Sequence, residues 1–194
     1  MTDSYSLLNR DLRFYIHEKG WPSLTKIQNA SIKAFYTTNN NLILSAPTAS
    51  GKTEACFLPA ISKVSSWDKG IKILYISPLI ALINDQFKRI SDMCLDMYIP
   101  ITSWHGEASQ SKKDKIIENP RGIVLITPES IEAMLVNKSE LAKTFFLDVE
   151  YIIVDEIHSF LFGNRGLQLK SLLERILRYT YNVPRMIGLS ATIG

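Results

Sequence analysis

Short, nearly unbroken runs of Ile, Leu, Val and Tyr recur at residues 41–45, 71–77, 98–103, 122–127, 151–155 and 185–190. Runs without apolar–polar alternation are how strands read when both faces of a sheet are covered. Between them, at residues 53–64, 79–94, 109–118, 129–136 and 166–179, apolar positions fall at helical spacing. In the last of these, Leu169, Leu172, Leu173, Ile176 and Leu177 make one stripe, with Lys170, Glu174, Arg175 and Arg178 on the other side. Pro59 lies inside the first helical segment and predicts a kink or an early stop there. Strands alternating with helices imply right-handed βαβ crossovers, hence an α/β fold with a doubly wound, mostly parallel sheet. A helical lead-in at 6–19 and 25–35, broken by Gly20-Trp21-Pro22, precedes the first strand. The expected organisation is a lead-in over residues 1–40 and a sheet domain over 41–194, with no repeat or low-complexity linker.

Composition adds little to this picture. At 194 residues, with 46% hydrophobic and 10% aromatic positions, the chain can bury one sizeable core. A net charge of +3 is too small to argue for nucleic acid by itself. Cys56 and Cys94 are scattered and share no metal-ligand spacing with His17, His105 or His158. No apolar run reaches the ~18–20 residues that span a bilayer, and residues 1–13 mix acid with base, unlike a secretory signal. The expected location is the cytoplasm, in reduced form and away from membranes.

Chemistry enters at the strand ends, where open α/β sheets hold their ligands. Ala46-Pro47-Thr48-Ala49-Ser50-Gly51-Lys52-Thr53 follows the first strand and opens a helix. In that setting, backbone N–H groups of the loop and helix N-terminus converge on phosphate oxygens. Lys52 supplies a point charge to the β- and γ-phosphates, and the Thr53 hydroxyl a ligand to Mg²⁺. The usual pattern begins with Gly, where this chain has Ala46. The apolar strand Tyr151-Ile152-Ile153-Val154 ends in Asp155-Glu156. Adjacent carboxylates at the tip of a buried strand are costly without a cation or hydrogen-bonding partners. Asp155 is therefore assigned to Mg²⁺ and Glu156 to orienting and deprotonating the attacking water. A helix N-terminus that merely favours acids is the plainer alternative, but it leaves the phosphate loop unexplained.

These residues, with others in the same order, resemble the first RecA-like domain of a superfamily-2 DEAD/DEAH-type helicase, and within it the Lhr-like branch. Gly20-Trp21, Leu24-Thr25 and Ile27-Gln28 resemble the Q-motif, which implies that Gln28 reads the adenine edge and that ATP is the nucleotide. Residues 46–53 are similar to motif I, in which an initial Ala is usual. Ser77-Pro78-Leu79-Ile80-Ala81-Leu82 resembles motif Ia, Trp104-His105-Gly106-Glu107 the glycine motif, and Thr127-Pro128-Glu129-Ser130 motif Ib. The resemblance implies that Pro78, Leu79, Gly106, Thr127, Pro128 and Glu129 follow a nucleic-acid backbone. Read without it, Pro78 and Pro128 mark ordinary strand-to-helix turns. Asp155-Glu156-Ile157-His158 is similar to motif II, while Asn164-Arg165-Gly166 and Leu173-Glu174-Arg175 are of the Lhr-like type. Ser190-Ala191-Thr192 resembles motif III. By the same resemblance His158, Ser190 and Thr192 couple the nucleotide to the rest of a motor. Trp21 either packs near the base or staples the lead-in.

The resemblance covers nearly the whole chain and implies a second RecA-like domain beyond Gly194, carrying arginines that complete the ATP site. Such an arginine is worth about 10³–10⁵ in rate in related phosphoryl-transfer sites. The chain by itself is accordingly expected to bind ATP with little turnover, as a domain of a longer protein. Asp-Glu-Ile-His in place of Asp-Glu-Ala-Asp tilts the expected substrate toward DNA over RNA. Two other classes remain open: an ATP-switched module that binds nucleic acid or a partner without turnover, and a different P-loop NTPase such as a kinase or GTPase.

Overall fold

Residues 3–47, 49–161 and 163–191 are described by the computed structural model. Six strands form: β1 (Leu42–Ser45), β2 (Gly70–Ile76), β3 (Ile101–Trp104), β4 (Arg121–Ile126), β5 (Tyr151–Val154) and β6 (Arg185–Ser190). They make one sheet in the order β1-β6-β5-β2-β4-β3, and every neighbouring pair is parallel. The helices are α1 (Ser4–Leu7), α2 (Arg10–Glu18), α3 (Lys26–Thr37), α4 (Lys52–Lys63), α5 (Ile80–Cys94), α6 (Gln110–Glu118), α7 (Pro128–Asn137), α8 (Ser139–Phe146) and α9 (Asn164–Leu177), with a 3-10 turn at Ile157–Phe160.

The two-residue period of β2 divides the core. Ile73 and Tyr75 join Phe35 of α3, Phe57 and Leu58 of α4 and Ile83 of α5 on one face. Leu74 and Ile76 join Ile131 of α7, Phe145 and Phe146 of α8 and Leu172 of α9 on the other. Leu12 and Ile16 of α2 pack into the first of these clusters, so the lead-in shares the core beneath the phosphate loop. Covering both faces is why the central strands lack a polar alternation. Every residue of β2, Lys72 included, is buried, and Lys72 meets Glu150 at 3.2 Å.

Several expectations are corrected. Of the kink or early stop expected at Pro59, the stop does not occur, and the helix runs on to Lys63. Phe57, Leu58, Ala60 and Ile61 around the proline are buried, and their packing outweighs one lost backbone hydrogen bond. The segment expected as a strand at 98–103 pairs only from Ile101, because Tyr98 is left-handed (φ 53°) and turns the chain ahead of Pro100. The lead-in expected as one helix at 6–19 is two, since the Asn9 side chain accepts from the Leu12 N–H and starts α2 afresh. Helix α8 was not anticipated, because its eight residues abut α7 with no glycine or proline between them.

At the end of the sheet opposite the strand tips, the Arg185 guanidinium is 9% exposed and lies 4.5 Å from the Phe35 ring centroid. Its nitrogens donate to the carbonyls of Asn40 (2.8 Å), Phe35 (3.3 Å) and Ala34 (3.3 Å). Lys63 also donates to the Phe35 carbonyl, so two cations complement the negative end of α3. Burial lowers the Arg185 pKa. Replacing Arg185 with Ala removes these bonds together, and urea unfolding is expected to register a loss of about 3 kcal/mol.

Candidate functional site

The strand register aligns six chain exits along one rim. Ser45 pairs with Ser190, Val154 with both Gly188 and Ile76, and Ile126 with both Ile76 and Trp104. Ala46, Ser190, Asp155, Ser77, Thr127 and His105 therefore follow one another across the sheet. The first three make one half of the site and the last three the other.

In the first half, the Ala46 N–H donates to the Ser190 carbonyl at 3.2 Å, and the Ser50 N–H to Pro47 at 3.3 Å. Ala49 (φ 61°) and Gly51 (φ 83°) are left-handed, curling the loop back over the start of α4. Gly51 is the N-cap of α4 and offers no side-chain acceptor, so N–H groups of the first turn are left for an incoming anion. The Lys52 ammonium donates to the carbonyls of Ala46 (2.5 Å) and Pro47 (3.0 Å), across the mouth of the loop. Thr53 is buried in the first turn. Thr48 lies outside the described residues.

Asp155, 7% exposed, stands one strand beyond Ser190. Its backbone N–H donates to Ile76 (2.8 Å), its Oδ1 accepts the Glu156 N–H (2.9 Å), and its Oδ2 accepts the Tyr75 hydroxyl. Burial raises its pKa above the usual carboxylate range, opposed by the Tyr75 hydrogen bond. Glu156 is left-handed (φ 47°) and throws the chain into the 3-10 turn. Its Oε2 is buried without a hydrogen bond, although His158 Nδ1 is 3.3 Å away. The same nitrogen lies 3.2 Å from Ser190 Oγ, so His158 touches both the acidic pair and β6. Thr192 lies outside the described residues.

Together these groups fit a magnesium–nucleotide complex. A hard cation such as Mg²⁺ keeps several waters and takes one or two carboxylates together with phosphate oxygens. Asp155 and Thr53 are the side chains that would hold it, and its charge would offset that of the β- and γ-phosphates. The orphaned Glu156 oxygen is the group available to take a proton from water.

Gln28 reaches this half from α3. Its Oε1 accepts the Thr25 N–H (2.9 Å), and the Thr25 hydroxyl faces the Gln28 N–H (3.4 Å), closing a capping box. The Thr25 hydroxyl also donates to the Ser50 carbonyl at 3.3 Å. A Cβ added to Gly51 would stand 2.7 Å from Gln28 Nε2. Gln28 is thus packed against the phosphate loop, with its amide oxygen committed to its own helix.

In the second half, Pro78 and the exposed Leu79 lead into α5, where Leu79 gives no side-chain cap. Thr127 caps α7, accepting from the Ser130 N–H (3.3 Å) and lying 3.0 Å from the Ser130 hydroxyl. Pro128 opens that helix, and Glu129 is exposed in its first turn. Gly106 is exposed, with no atom within 4 Å of where a Cβ would stand. His105 beside it is buried with neither ring nitrogen hydrogen-bonded among the described residues, and burial lowers its pKa.

A phosphate loop, an acidic strand tip and a histidine bridge to the neighbouring strand, on a parallel six-stranded sheet, define a P-loop NTPase domain of the RecA-like type. The chain belongs to the DEAD/DEAH box helicase family, which it matches over residues 25–194. It is 31% identical to the ATP-dependent helicase Lhr-Core of Methanocaldococcus jannaschii, over 97% of this chain and 24% of that protein. Among solved structures it resembles the Mycobacterium smegmatis helicase Lhr bound to ssDNA and AMP-PNP, with TM-score 0.85 and 29% identity over 99% of this chain and 26% of that one. The DEAD-box helicase Mss116, bound to ssRNA and UDP-BeF, shares the fold, with TM-score 0.87, 20% identity, and coverage of 100% of this chain and 42% of that one. The chain thus spans about a quarter of the length of these two Lhr relatives.

Two contributors escaped the sequence reading, Tyr75 and the Thr25 hydroxyl. A phenol next to the last position of a buried, mostly aliphatic strand was the available signal for Tyr75, since a buried O–H needs a partner. Thr25 was legible as a cap, but its contact with Ser50 spans 25 residues and needs the fold.

Two outcomes are expected. Gly51→Ala places a side chain at φ 83° against Gln28, and is expected to cost about 1–3 kcal/mol in urea unfolding and to weaken nucleotide binding. Asp155 titrates in the folded chain above its unfolded value, so the stability of its protonated form is lost as pH rises through the raised pKa. Asp155→Asn is therefore expected to raise the melting temperature of the metal-free chain at neutral pH. The gap should close below about pH 4, where the aspartate is neutral in both states.

Proposed function

We propose that the chain is the ATP-binding part of a nucleic-acid-dependent ATPase that moves on DNA in preference to RNA. The observation that carries this reading is the single rim. It sets the phosphate loop, Ser190 and Asp155-Glu156 at the ends of three neighbouring strands, and the Pro78, Thr127 and Gly106 segments at the ends of the next three. Charge development at a γ-phosphate and the path of a polynucleotide backbone are then neighbours on one rigid edge, and movement at one is felt at the other. In this scheme Lys52 and the α4 N-terminus hold the phosphates, and Thr53 and Asp155 hold Mg²⁺. Glu156 takes the proton of the attacking water. His158 relays its position to Ser190 and on to Thr192. Gln28 contributes to the adenine side through its Nε2, the amide atom not used in the capping box. The preference for DNA is supported by the likeness to the Lhr structure bound to ssDNA. A second RecA-like domain, absent from these 194 residues, is proposed to supply the arginines that complete turnover.

Measured on the chain, ATP binding without substantial phosphate release is expected, together with ssDNA affinity that exceeds ssRNA affinity at matched salt. Glu156→Gln should keep ATP binding and abolish whatever release remains. Rapid release independent of Glu156 would overturn the reading. Absence of release by the full-length protein both with and without nucleic acid, with ATP-dependent DNA binding intact, would favour an ATP-switched binding module instead.

A further inference from the structure

Tyr75 is the one aromatic residue of β2, and it sits on the central strand with its side chain wholly buried. Its ring packs against Phe57 of α4, the helix that carries the phosphate loop, at 5.6 Å between centroids. Its hydroxyl donates to Asp155 Oδ2 across the gap to β5. Asp155 is consequently held at three points: its backbone N–H on Ile76, its Oδ1 on the Glu156 N–H, and its Oδ2 on Tyr75. The first is a backbone contact that any residue at position 155 could make, whereas the other two hold the carboxylate itself, one oxygen each. Oδ1 is held by the amide of the very next residue, and Tyr75 supplies the second hold, on Oδ2, from a neighbouring strand, so that together they fix the carboxylate plane.

We propose that Tyr75 is a positioning residue for Mg²⁺–nucleotide binding, a phenolic strut that fixes the Asp155 carboxylate plane relative to the α4 N-terminus. The inference rests on the reading of Asp155 as the metal-holding residue. Its physical content is a reduction in the freedom of the carboxylate. A phenol locked by Phe57 and by the β2 backbone can donate in one direction only, and the neutral donor leaves the charge on Asp155 available to a cation. A lysine or arginine in its place would neutralise that charge. An aliphatic residue, like its neighbours in β2, would leave the carboxylate held at Oδ1 alone and its plane less restrained. Hydrogen-bonding partners that orient a metal ligand commonly matter as much as tenfold or more in metal affinity.

The test is Tyr75→Phe, which removes only the hydroxyl, with nucleotide affinity measured by fluorescence titration of a labelled ATP analogue in EDTA and in Mg²⁺. Mn²⁺ binding in the presence of ATP is followed in parallel by electron paramagnetic resonance. In EDTA the variant should match the parent, because the phosphate loop is intact. The affinity gain conferred by Mg²⁺ should fall by about tenfold, and Mn²⁺ should bind correspondingly more weakly. In an Asp155→Asn background the same substitution should have no further effect on the metal-dependent gain. An unchanged gain in Tyr75→Phe, with Asp155→Asn losing it, would overturn the role of Tyr75 and leave the site reading intact. A parent chain without any Mg²⁺-dependent gain, or one in which Asp155→Asn leaves that gain untouched, would overturn the site reading, and the strut with it. Should Tyr75→Phe fail to fold, Tyr75→Leu is the second variant. Failure of both to fold in metal-free buffer would assign the hydroxyl to stability and overturn the proposal too.

Discussion

Everything at the functional edge depends on the register of the parallel ladder. In a sheet buried on both faces, a slip of one residue would exchange the two sets of side chains between two differently shaped cores. Ile73 and Tyr75 would then meet α7 and α8, while Leu74 and Ile76 met α4 and α5. The two cores thus hold the register from both sides, and the register in turn decides which residues leave the sheet abreast of one another. The alignment of Ala46, Asp155 and Ser77 is inherited from packing of aliphatic side chains that never touch a ligand.

The same sheet carries a buried charge at each end, and handles both with neutral partners. At one end the Arg185 guanidinium is satisfied by carbonyls of the α3 terminus and the loop beyond it. At the other the Asp155 carboxylate is satisfied by a phenol and an amide N–H. The difference lies in what remains. Arg185 caps a helix and faces an aromatic ring, so its electrostatic work is internal. Asp155 stands beside the phosphate loop with no basic side chain in hydrogen-bond contact among the described residues, an arrangement that disfavours the folded chain and favours a cation.

Much of this was legible before any coordinates. The six strands announced themselves because two-sided burial demands continuous aliphatic runs, and the loop because Gly51-Lys52-Thr53 falls between a strand and a helix. The limits of the reading were physical. Pro59 looked like a stop because local propensity was weighed without the burial of Phe57, Leu58 and Ile61 around it. Tyr98 looked like strand because its side chain is a good strand former, whereas its backbone is left-handed and its ring solvent-exposed. The capping-box role of Gln28 was readable from Thr25 three positions earlier. Its seat against Gly51 depends on how α3 crosses the loop, which no local pattern encodes.

The left-handed backbone of Glu156 shows where folding and chemistry part company. An L-residue with a long side chain gains nothing from that conformation, and a glycine would adopt it freely. The position therefore strains the fold through its twisted backbone, and its buried Oε2 makes no hydrogen bond among the described residues, with only the His158 ring 3.3 Å away to answer it. A sequence drifting under demand for robustness alone would settle on glycine there, and it would yield a sturdier molecule that is chemically mute. A glutamate at such a corner spends stability to set a carboxylate where glycine would leave only backbone.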